Sequence, residues 1–364
     1  MPDATDHSEV VLFAADHLRR GGLVAFPTET VYGLGADALN PDAVARVFAA
    51  KGRPNNNPLI VHVDGEAMAQ TLVERWGSDA RKLAAAFWPG PLSLVLPRGA
   101  AVPDIVTGGG PNVAVRCPDH ELTRELIRAT GRPLVGPSAN KSGFVSPTAA
   151  EHVVREFEDA MLLVARAAGA SNLATVSPDR VLVLDGGPCA RGIESTVVKL
   201  PTAIGDHVVV LRQGFVSADQ IASVLGRSVE MAAPPARTQE PLDSPGLLDR
   251  HYAPRTPAFR FAPAQWPQVL ELLIDLEDPA GGTARAAVLT VGSRSVPSPH
   301  TRISMPTDPK PYASRLYAAL READDQGLTA IYVEAPADHA DPLWHAIADR
   351  VRRATSPLPA TASD

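Results

Sequence analysis

A short basic segment that leads directly into an apolar strand is the feature that most constrains this chain. Lys51 and Arg53 precede three asparagines and Pro58, and the apolar run 59–63 follows at once. The prolines restrict the backbone at the strand entrance, while the two cations add a compact charge and a planar fork. Because phosphate oxygens accept hydrogen bonds from both kinds of cation, the segment predicts an anion-binding turn. A solvated basic turn is the alternative.

The length of the chain predicts more than one domain. With 364 residues it exceeds the size at which a single hydrophobic core usually stops growing. We expect a first α/β domain over 1–230, a proline-rich linker over 231–257 and a smaller α/β domain over 258–364. In the last of these, apolar strands near 286–289 and 330–333 alternate with helices near 312–322 and 343–353, which predicts a partly parallel sheet.

Charge and cysteine content exclude several functional classes. A formal net charge of −7 argues against a broad nucleic-acid-binding face. The two cysteines, Cys117 and Cys189, have no metal-ligand spacing and form no disulfide framework. The N-terminus is acidic, and no uncharged apolar run approaches the roughly 18 residues of a membrane span. We therefore expect a soluble cytoplasmic protein without a membrane segment.

Polar side chains follow several of the predicted strands. The strand 23–26 runs into a loop that contains Thr30, the strand 113–116 ends in Arg116, and the strand 134–135 leads to Ser138 and Asn140. Open α/β sheets commonly bind ligands at such strand ends. An arginine buried there needs an anion, either a substrate carboxylate or an internal Asp or Glu. The glycine run 108–110 predicts close approach of a ligand to the backbone near Asn112.

One segment is similar to a dinucleotide-binding fingerprint. Gly33 and Gly35 follow a strand, and Asp64 lies downstream as a candidate ribose partner. Six residues separate the strand from the first glycine, however, whereas the fingerprint requires glycine at the strand-to-helix turn itself. The chain also contains no P-loop sequence, so any ATP site must be built differently.

Seven segments of the chain, taken in order, resemble the YrdC-type threonylcarbamoyl-adenylate synthases in their long, two-domain form. They are 26–37, 51–63, 113–116, 136–140, 192–196, 211–214 and 244–254. The resemblance covers most of the chain and is weakest after residue 258. It departs from the family at Gln213, where proline is usual, at Leu248 and Asp249 in the linker, and over 161–180, which we interpret as containing an insertion.

The resemblance implies both a fold and a reaction. The fold is a YrdC-like α/β domain with a twisted mixed sheet, a linker that closes over the active site, and a smaller Rossmann-like α/β domain. The reaction joins L-threonine, bicarbonate and ATP into L-threonylcarbamoyl-AMP with release of pyrophosphate. Mg²⁺ is expected to accompany the ATP, and the product to pass to a tRNA threonylcarbamoyl-transferase complex.

The resemblance also implies roles for individual residues. The catalytic residues are Lys51 and Arg53, and no protein metal site is expected. The residues that bind L-threonine are Thr30, His62, Arg116, Ser138 and Ser195. The residues that bind the nucleotide are Arg53, Asn57, Asn112, Asn140, Thr148, Arg212, His251 and Tyr252.

Two other functions remain alternatives at the level of sequence. An RNA-binding maturation factor is one, although the acidic balance and the 5% aromatic content count against it. The arginines of 346–353 are the candidate for a weak RNA contact, with a solvated helix face as the preferred interpretation. The carbamoyl-transferring domain of hydrogenase maturation proteins is the other, and the absence of paired Cys-x-x-Cys motifs counts against it.

Overall fold

The structure is a computed structural model that describes residues 4–163, 176–201, 206–232, 252–277, 281, 283–336 and 341–359. The chain forms two compact units. The first comprises Met1–Ser142, Pro147–Ala190 and Glu194–Leu247, and the second comprises Gly143–Ser146, Arg191–Ile193 and Leu248–Asp364. Most of the predicted linker lies outside the described residues, so the predicted domain boundaries stay a prediction.

In the described residues, the first unit is built on a mixed sheet of 11 strands in the order β11-β10-β9-β4-β5-β3-β6-β2-β1-β8-β7. Its strands are β1 Leu23–Phe26, β2 Gly33–Asp37, β3 Ile60–His62, β4 Leu92–Pro97, β5 Asn112–Arg116, β6 Leu134–Val135, β7 Met161–Leu163, β8 Val181–Leu184, β9 Thr196–Lys199, β10 Val209–Arg212 and β11 Glu230–Met231. Its helices are α1 Ala4–Arg19, α2 Pro41–Lys51, α3 Glu66–Gln70, α4 Ser78–Phe87, α5 Glu121–Thr130, α6 Ala150–Glu156 and α7 Ala218–Leu225.

Alternation along the strands separates two faces of this sheet. Leu34, Val61 and Leu94 are among the strand residues that point into the larger core, which also buries the apolar face of α2. On the opposite face, Val24 and Phe26 pack with α1 and α5 in a smaller core. The predicted site residues His62 on β3 and Arg116 on β5 alternate with residues of the larger core and so lie on the face opposite to it.

The glycines of β2 have a packing role. A Cβ atom on Gly35 would lie 2.6 Å from the Phe26 ring and 2.9 Å from the Val24 carbonyl oxygen, and one on Gly33 would lie 2.9 Å from the same ring. Only glycine therefore lets the aromatic ring lie directly against the strand. The two residues belong to a strand and not to a strand-to-helix turn, which is contrary to a dinucleotide fingerprint.

The second unit contains a smaller sheet in the order β14-β13-β15-β12-β16. The strands are β12 Ala258–Phe261, β13 Ala286–Val291, β14 Thr301–Met305, β15 Ala330–Glu334 and β16 Ser356–Pro357, and the helices are α8 Trp266–Ile274, α9 Pro309–Asp324 and α10 Pro342–Ala354. Every strand pair in this sheet is parallel, whereas the sequence predicted a partly parallel one. The predicted two-domain α/β fold is confirmed.

Candidate active site

The site residues on the strands are brought together by register. His62 on β3 pairs directly with Arg116 on the neighbouring parallel strand β5, so both side chains point to the same face. On this face Ile60, Ala114 and Val95 belong to a small cluster of buried apolar side chains, which packs next to the polar groups. The arrangement follows from the two-residue alternation along each strand.

The helix α2 delivers Lys51 to the site at its last residue. Gly52 ends the helix with φ 62°, a left-handed conformation that glycine adopts without strain. Lys51 is 2% exposed, and its ammonium donates hydrogen bonds of 2.5 Å to the backbone carbonyls of Ser138 and Asn140. Burial lowers the pKa of Lys51 well below its ordinary value, and the charge of Arg53 lowers it further. Lys51 therefore connects the basic turn to the loop after β6.

Arg53 organises the asparagine-rich loop that precedes β3. Its guanidinium donates to the Asn57 carbonyl at 3.0 Å, to the Asn57 side-chain oxygen at 2.6 Å and to the Pro58 carbonyl at 2.8 Å. The glycine run packs on this loop, because a Cβ atom on Gly108 would lie 2.9 Å from the Asn56 carbonyl carbon. Glycine is therefore needed at Gly108 for close approach of two protein segments.

Arg116 is held by the loop that follows β1. Its guanidinium donates to the Thr30 hydroxyl at 3.0 Å and to the Gly90 carbonyl at 3.2 Å, and it forms an ion pair of 2.7 Å with Glu29. Thr28 fixes the loop by accepting hydrogen bonds from the backbone N–H groups of Thr30 and Val31. Of the two anions that the sequence left open for Arg116, the structure contains the internal one.

His62 is buried between aromatic and backbone groups. Its ring lies edge-on to Phe26 with centroids 5.3 Å apart, and a Cβ atom on Gly136 would lie 2.6 Å from its Nδ1 atom. Burial, with the charge of Arg116 as the second cause, lowers the pKa of His62 to about 3. Its imidazole is therefore neutral near pH 7. The Nδ1 atom has no hydrogen-bond partner among the described residues.

Ser195 belongs to a hydroxyl pair that sequence reasoning missed. Its Oγ atom lies 2.8 Å from the Oγ atom of Ser93 on β4, and Arg212 donates to Ser195 Oγ at 3.2 Å and to its carbonyl at 3.1 Å. Both serines are fully buried. The signal in the sequence was the single hydroxyl of Ser93 inside the apolar strand Leu92–Pro97.

The remaining predicted nucleotide contacts occupy several positions of the first unit. Asn112 begins β5 opposite Pro97, and the Asn140 amide donates to the Lys141 carbonyl at 2.7 Å. The Thr148 backbone N–H donates to His152 Nδ1 at 3.2 Å, and its carbonyl accepts from Cys189 N–H at 2.8 Å. These contacts hold Asn112 and Thr148 through their backbones and Asn140 through its side-chain amide, and the roles of all three residues toward a nucleotide stay a prediction.

Tyr252 belongs to the second unit. Its ring lies 5.5 Å from the Tyr317 ring, Arg350 lies over it at 5.8 Å, and its φ of 64° is the positive value that residues other than glycine rarely adopt. The side chain is 1% exposed. His251, most of the predicted linker and residues 164–175 of the predicted insertion lie outside the described residues.

Two further findings concern metals and membranes. Among the residues that the structure describes, no group of three or more His, Cys, Asp or Glu side chains could hold a metal ion. Within the same described ranges, no helix is both long enough and apolar enough to cross a membrane.

The fold and the site together define a two-unit α/β protein with a buried cluster of arginine, lysine and hydroxyl groups on a mixed sheet, suited to anionic substrates. A family model described as "Telomere recombination" matches residues 16–214. A second model, described as "Threonylcarbamoyl-AMP synthase, C-terminal domain", matches residues 216–356. The chain is an enzyme that belongs to the threonylcarbamoyl-AMP synthase family.

Individual relatives are similar over much of the chain. The threonylcarbamoyl-AMP synthase of Bacillus subtilis is 38% identical over 88% of this chain and 86% of the relative. That of Pyrococcus abyssi is 41% identical over 67% of this chain and 65% of the relative. A crystal structure of Pyrococcus abyssi Sua5 complexed with L-threonine has a TM-score of 0.80 and 34% identity, covering 95% of this chain and 94% of that chain.

Proposed function

We propose that this chain synthesises L-threonylcarbamoyl-AMP from L-threonine, bicarbonate and ATP with release of pyrophosphate, which makes it a nucleotidyltransferase. The product is the first intermediate of N6-threonylcarbamoyladenosine formation in tRNA. The observation that carries the proposal is that a chain of this family buries Arg116 with Thr30, and also buries the basic pair Lys51 and Arg53, at loops next to strands of one sheet. The first set of side chains can bind an amino acid, and the two cations can bind phosphate groups.

In the first chemical step, the neutral threonine amine attacks the CO₂ derived from bicarbonate and loses a proton to solvent as the carbamate forms; attack on bicarbonate itself gives the same carbamate and releases water. Arg116 is suited to bind the threonine carboxylate, because its planar fork can donate two parallel hydrogen bonds. Thr30, His62, Ser138 and Ser195 are the other proposed threonine contacts. The neutral His62 ring adds a hydrogen-bonding nitrogen to the site without adding charge.

In the second step, a carbamate oxygen attacks the α-phosphorus of ATP and pyrophosphate leaves. Lys51 and Arg53 lie where cations can stabilise the charge that develops on the phosphate oxygens. Because both are already anchored to backbone carbonyls, their charges need little reorganisation when the nucleotide binds. The reaction needs no covalent enzyme intermediate, so positioning and electrostatic stabilisation carry the catalysis.

The nucleotide is proposed to contact Asn57, Asn112, Asn140, Thr148 and Arg212, together with His251 and Tyr252. Bound Mg²⁺ would neutralise phosphate charge, and it is expected to arrive with ATP because the described residues offer no carboxylate cluster for it. The adenylate is proposed to pass to a tRNA threonylcarbamoyl-transferase complex.

The product itself provides the test. The chain is incubated with ATP, bicarbonate and an equimolar mixture of amino acids, and the nucleotides formed are analysed by mass spectrometry. We expect one new adenylate with the mass of threonylcarbamoyl-AMP, and a mass increase when ¹³C-bicarbonate is supplied. An adenylate of another amino acid, or an aminoacyl adenylate without the bicarbonate carbon, would contradict the proposal. The Arg53→Ala variant is the control for contaminating activity.

A further inference from the structure

Glu29 is a buried carboxylate with unused hydrogen-bonding capacity. It is 5% exposed and lies in ion-pair contact with Arg116 at 2.7 Å. Neither of its two carboxylate oxygens accepts a hydrogen bond from a described residue. The Nη2 atom of Arg116 likewise lacks a hydrogen bond, so the pair is in contact without hydrogen-bonding geometry.

A second buried glutamate shows what a satisfied pair of this kind looks like in the same chain. Glu334 is 4% exposed and forms an ion pair of 2.8 Å with Arg294. It accepts a hydrogen bond of 2.9 Å from the Val291 backbone N–H and one of 3.0 Å from Arg294 Nε. An ionised carboxylate can accept about four hydrogen bonds, and burying one without donors is costly. Glu29 therefore lacks donors that Glu334 has.

The groups around Glu29 indicate which donor is missing. Thr30 and the Gly90 carbonyl already use the Nη1 and Nε atoms of Arg116, which leaves Nη2 turned toward Glu29. A carboxylate and a guanidinium then lie side by side within one buried site. An α-amino acid carries the complementary charges, an ammonium and a carboxylate, on a single carbon atom. Its ammonium supplies three N–H donors and the positive charge that a buried carboxylate needs.

We infer that Glu29 binds the ammonium group of the amino-acid substrate while Arg116 binds its carboxylate. The inference rests on the proposed function and deepens it, because it adds a specificity-determining residue that selects a free α-amino group. Glu29 and Arg116 would both exchange their mutual contact for the two ends of one zwitterion. The alternative role for Glu29 is that of an internal anion that competes with the substrate carboxylate for Arg116.

The experiment compares two ligands by calorimetry in the absence of ATP. The first is L-threonine, and the second is 2,3-dihydroxybutanoate of matching configuration, in which a hydroxyl replaces the amine. Wild-type protein should bind threonine at least about tenfold more tightly than the analogue, the effect of one charge-assisted contact. Glu29→Gln should weaken threonine binding by about tenfold and leave the analogue within about twofold. The matched control is Glu334→Gln, which should change neither affinity.

Each other outcome contradicts a defined part of the inference. Tighter threonine binding by Glu29→Gln would identify Glu29 as a competitor of the substrate carboxylate. Equal loss of both ligands would give it a purely structural role. If Glu29→Gln does not fold, the same two affinities are measured for Glu29→Asp. The preference of the wild-type protein for threonine over the analogue is a further test. A wild-type protein without that preference does not recognise the ammonium, which would contradict the inference. Failure of wild-type protein to bind threonine at all would instead contradict the proposed function.

Discussion

The side-chain oxygens of Ser93, on β4, and Ser195, immediately before β9, lie 2.8 Å apart, although the residues are 102 positions apart in the chain. Ser93 is therefore the group that orients the Ser195 hydroxyl, with Arg212 on its other side. Buried hydroxyl groups are stable only when they form hydrogen bonds. Loss of one serine therefore removes a hydrogen bond from the other.

This relationship gives the first prediction. In Ser93→Ala the Ser195 hydroxyl loses one partner, worth about 1 kcal/mol, so the KM for threonine should rise about fivefold with little change in the KM for ATP. Steady-state kinetics measure both. The control is Ser217→Ala, which removes the N-cap of α7 and should lower stability while leaving both KM values unchanged. An unaltered threonine KM in Ser93→Ala would exclude Ser93 from the site.

The basic turn gives the second prediction. Lys51→Ala or Arg53→Ala should lower kcat by about tenfold or more, because each removes a cation from the developing phosphate charge. The unfolding midpoint of each variant is measured alongside, since both side chains also anchor loops. Lys82→Ala, which removes an exposed lysine on α4, is the control and should retain full activity. Near-normal kcat in both site variants would show that the triphosphate binds elsewhere in the protein.

Arg116 gives the third prediction. Arg116→Lys replaces a planar guanidinium by a compact ammonium group. The ammonium cannot donate hydrogen bonds to Thr30, Gly90 and a carboxylate at the same time. The KM for threonine should rise by about tenfold or more, whereas that for ATP should change little. The matched control is Arg294→Lys, which alters the comparable ion pair with Glu334 in the second unit. A larger effect on ATP than on threonine would reverse the proposed division of the site.

His62 gives a prediction about pH. Its folded pKa of about 3 lies below the 6.5 of an ordinary histidine, so the unfolded chain binds the additional proton between these values. Stability therefore falls as pH decreases through this window, and His62 should contribute a loss of about 2.5 kcal/mol between pH 7 and pH 4.5. The free energy of unfolding in urea is measured for wild type and His62→Gln at about pH 4.5 and 7. The difference between their pH dependences is the contribution of His62. Equal pH dependence in the two proteins would contradict a buried neutral His62.

The sequence predicted the strand ends of the site well, because the evidence for them is local. The apolar run before Arg116 and the glycine that ends α2 after Lys51 are visible within a few residues. The partner of Arg116 could not be assigned in the same way. Thr30 and Arg116 are 86 positions apart, and their contact depends on how the loop after β1 folds over the sheet. The sequence thus left two candidate anionic partners for Arg116, a substrate carboxylate and an internal Asp or Glu. The tertiary structure places Glu29 beside the arginine.

Two other features were hidden for the same reason. The sequence spacing argued against a dinucleotide fingerprint at Gly33 and Gly35 without explaining the two glycines, and the position of the Phe26 ring shows why both lack a side chain. The glycine run near Asn112 suggested close approach of a ligand, and the structure places the Asn56 backbone against Gly108. In both places glycine permits close approach of another protein segment, and the predicted approach of a ligand near Asn112 stays a prediction.

The most direct test of the central claim is the dependence of pyrophosphate release on both co-substrates. Wild-type protein is supplied with ATP, and pyrophosphate is measured with threonine and bicarbonate together, with each omitted in turn, and with both omitted. Because the proposed nucleophile is the carbamate made from threonine and bicarbonate, release should require both and should match threonylcarbamoyl-AMP formed in a ratio of about one to one. Pyrophosphate release at the same rate without threonine would contradict the account.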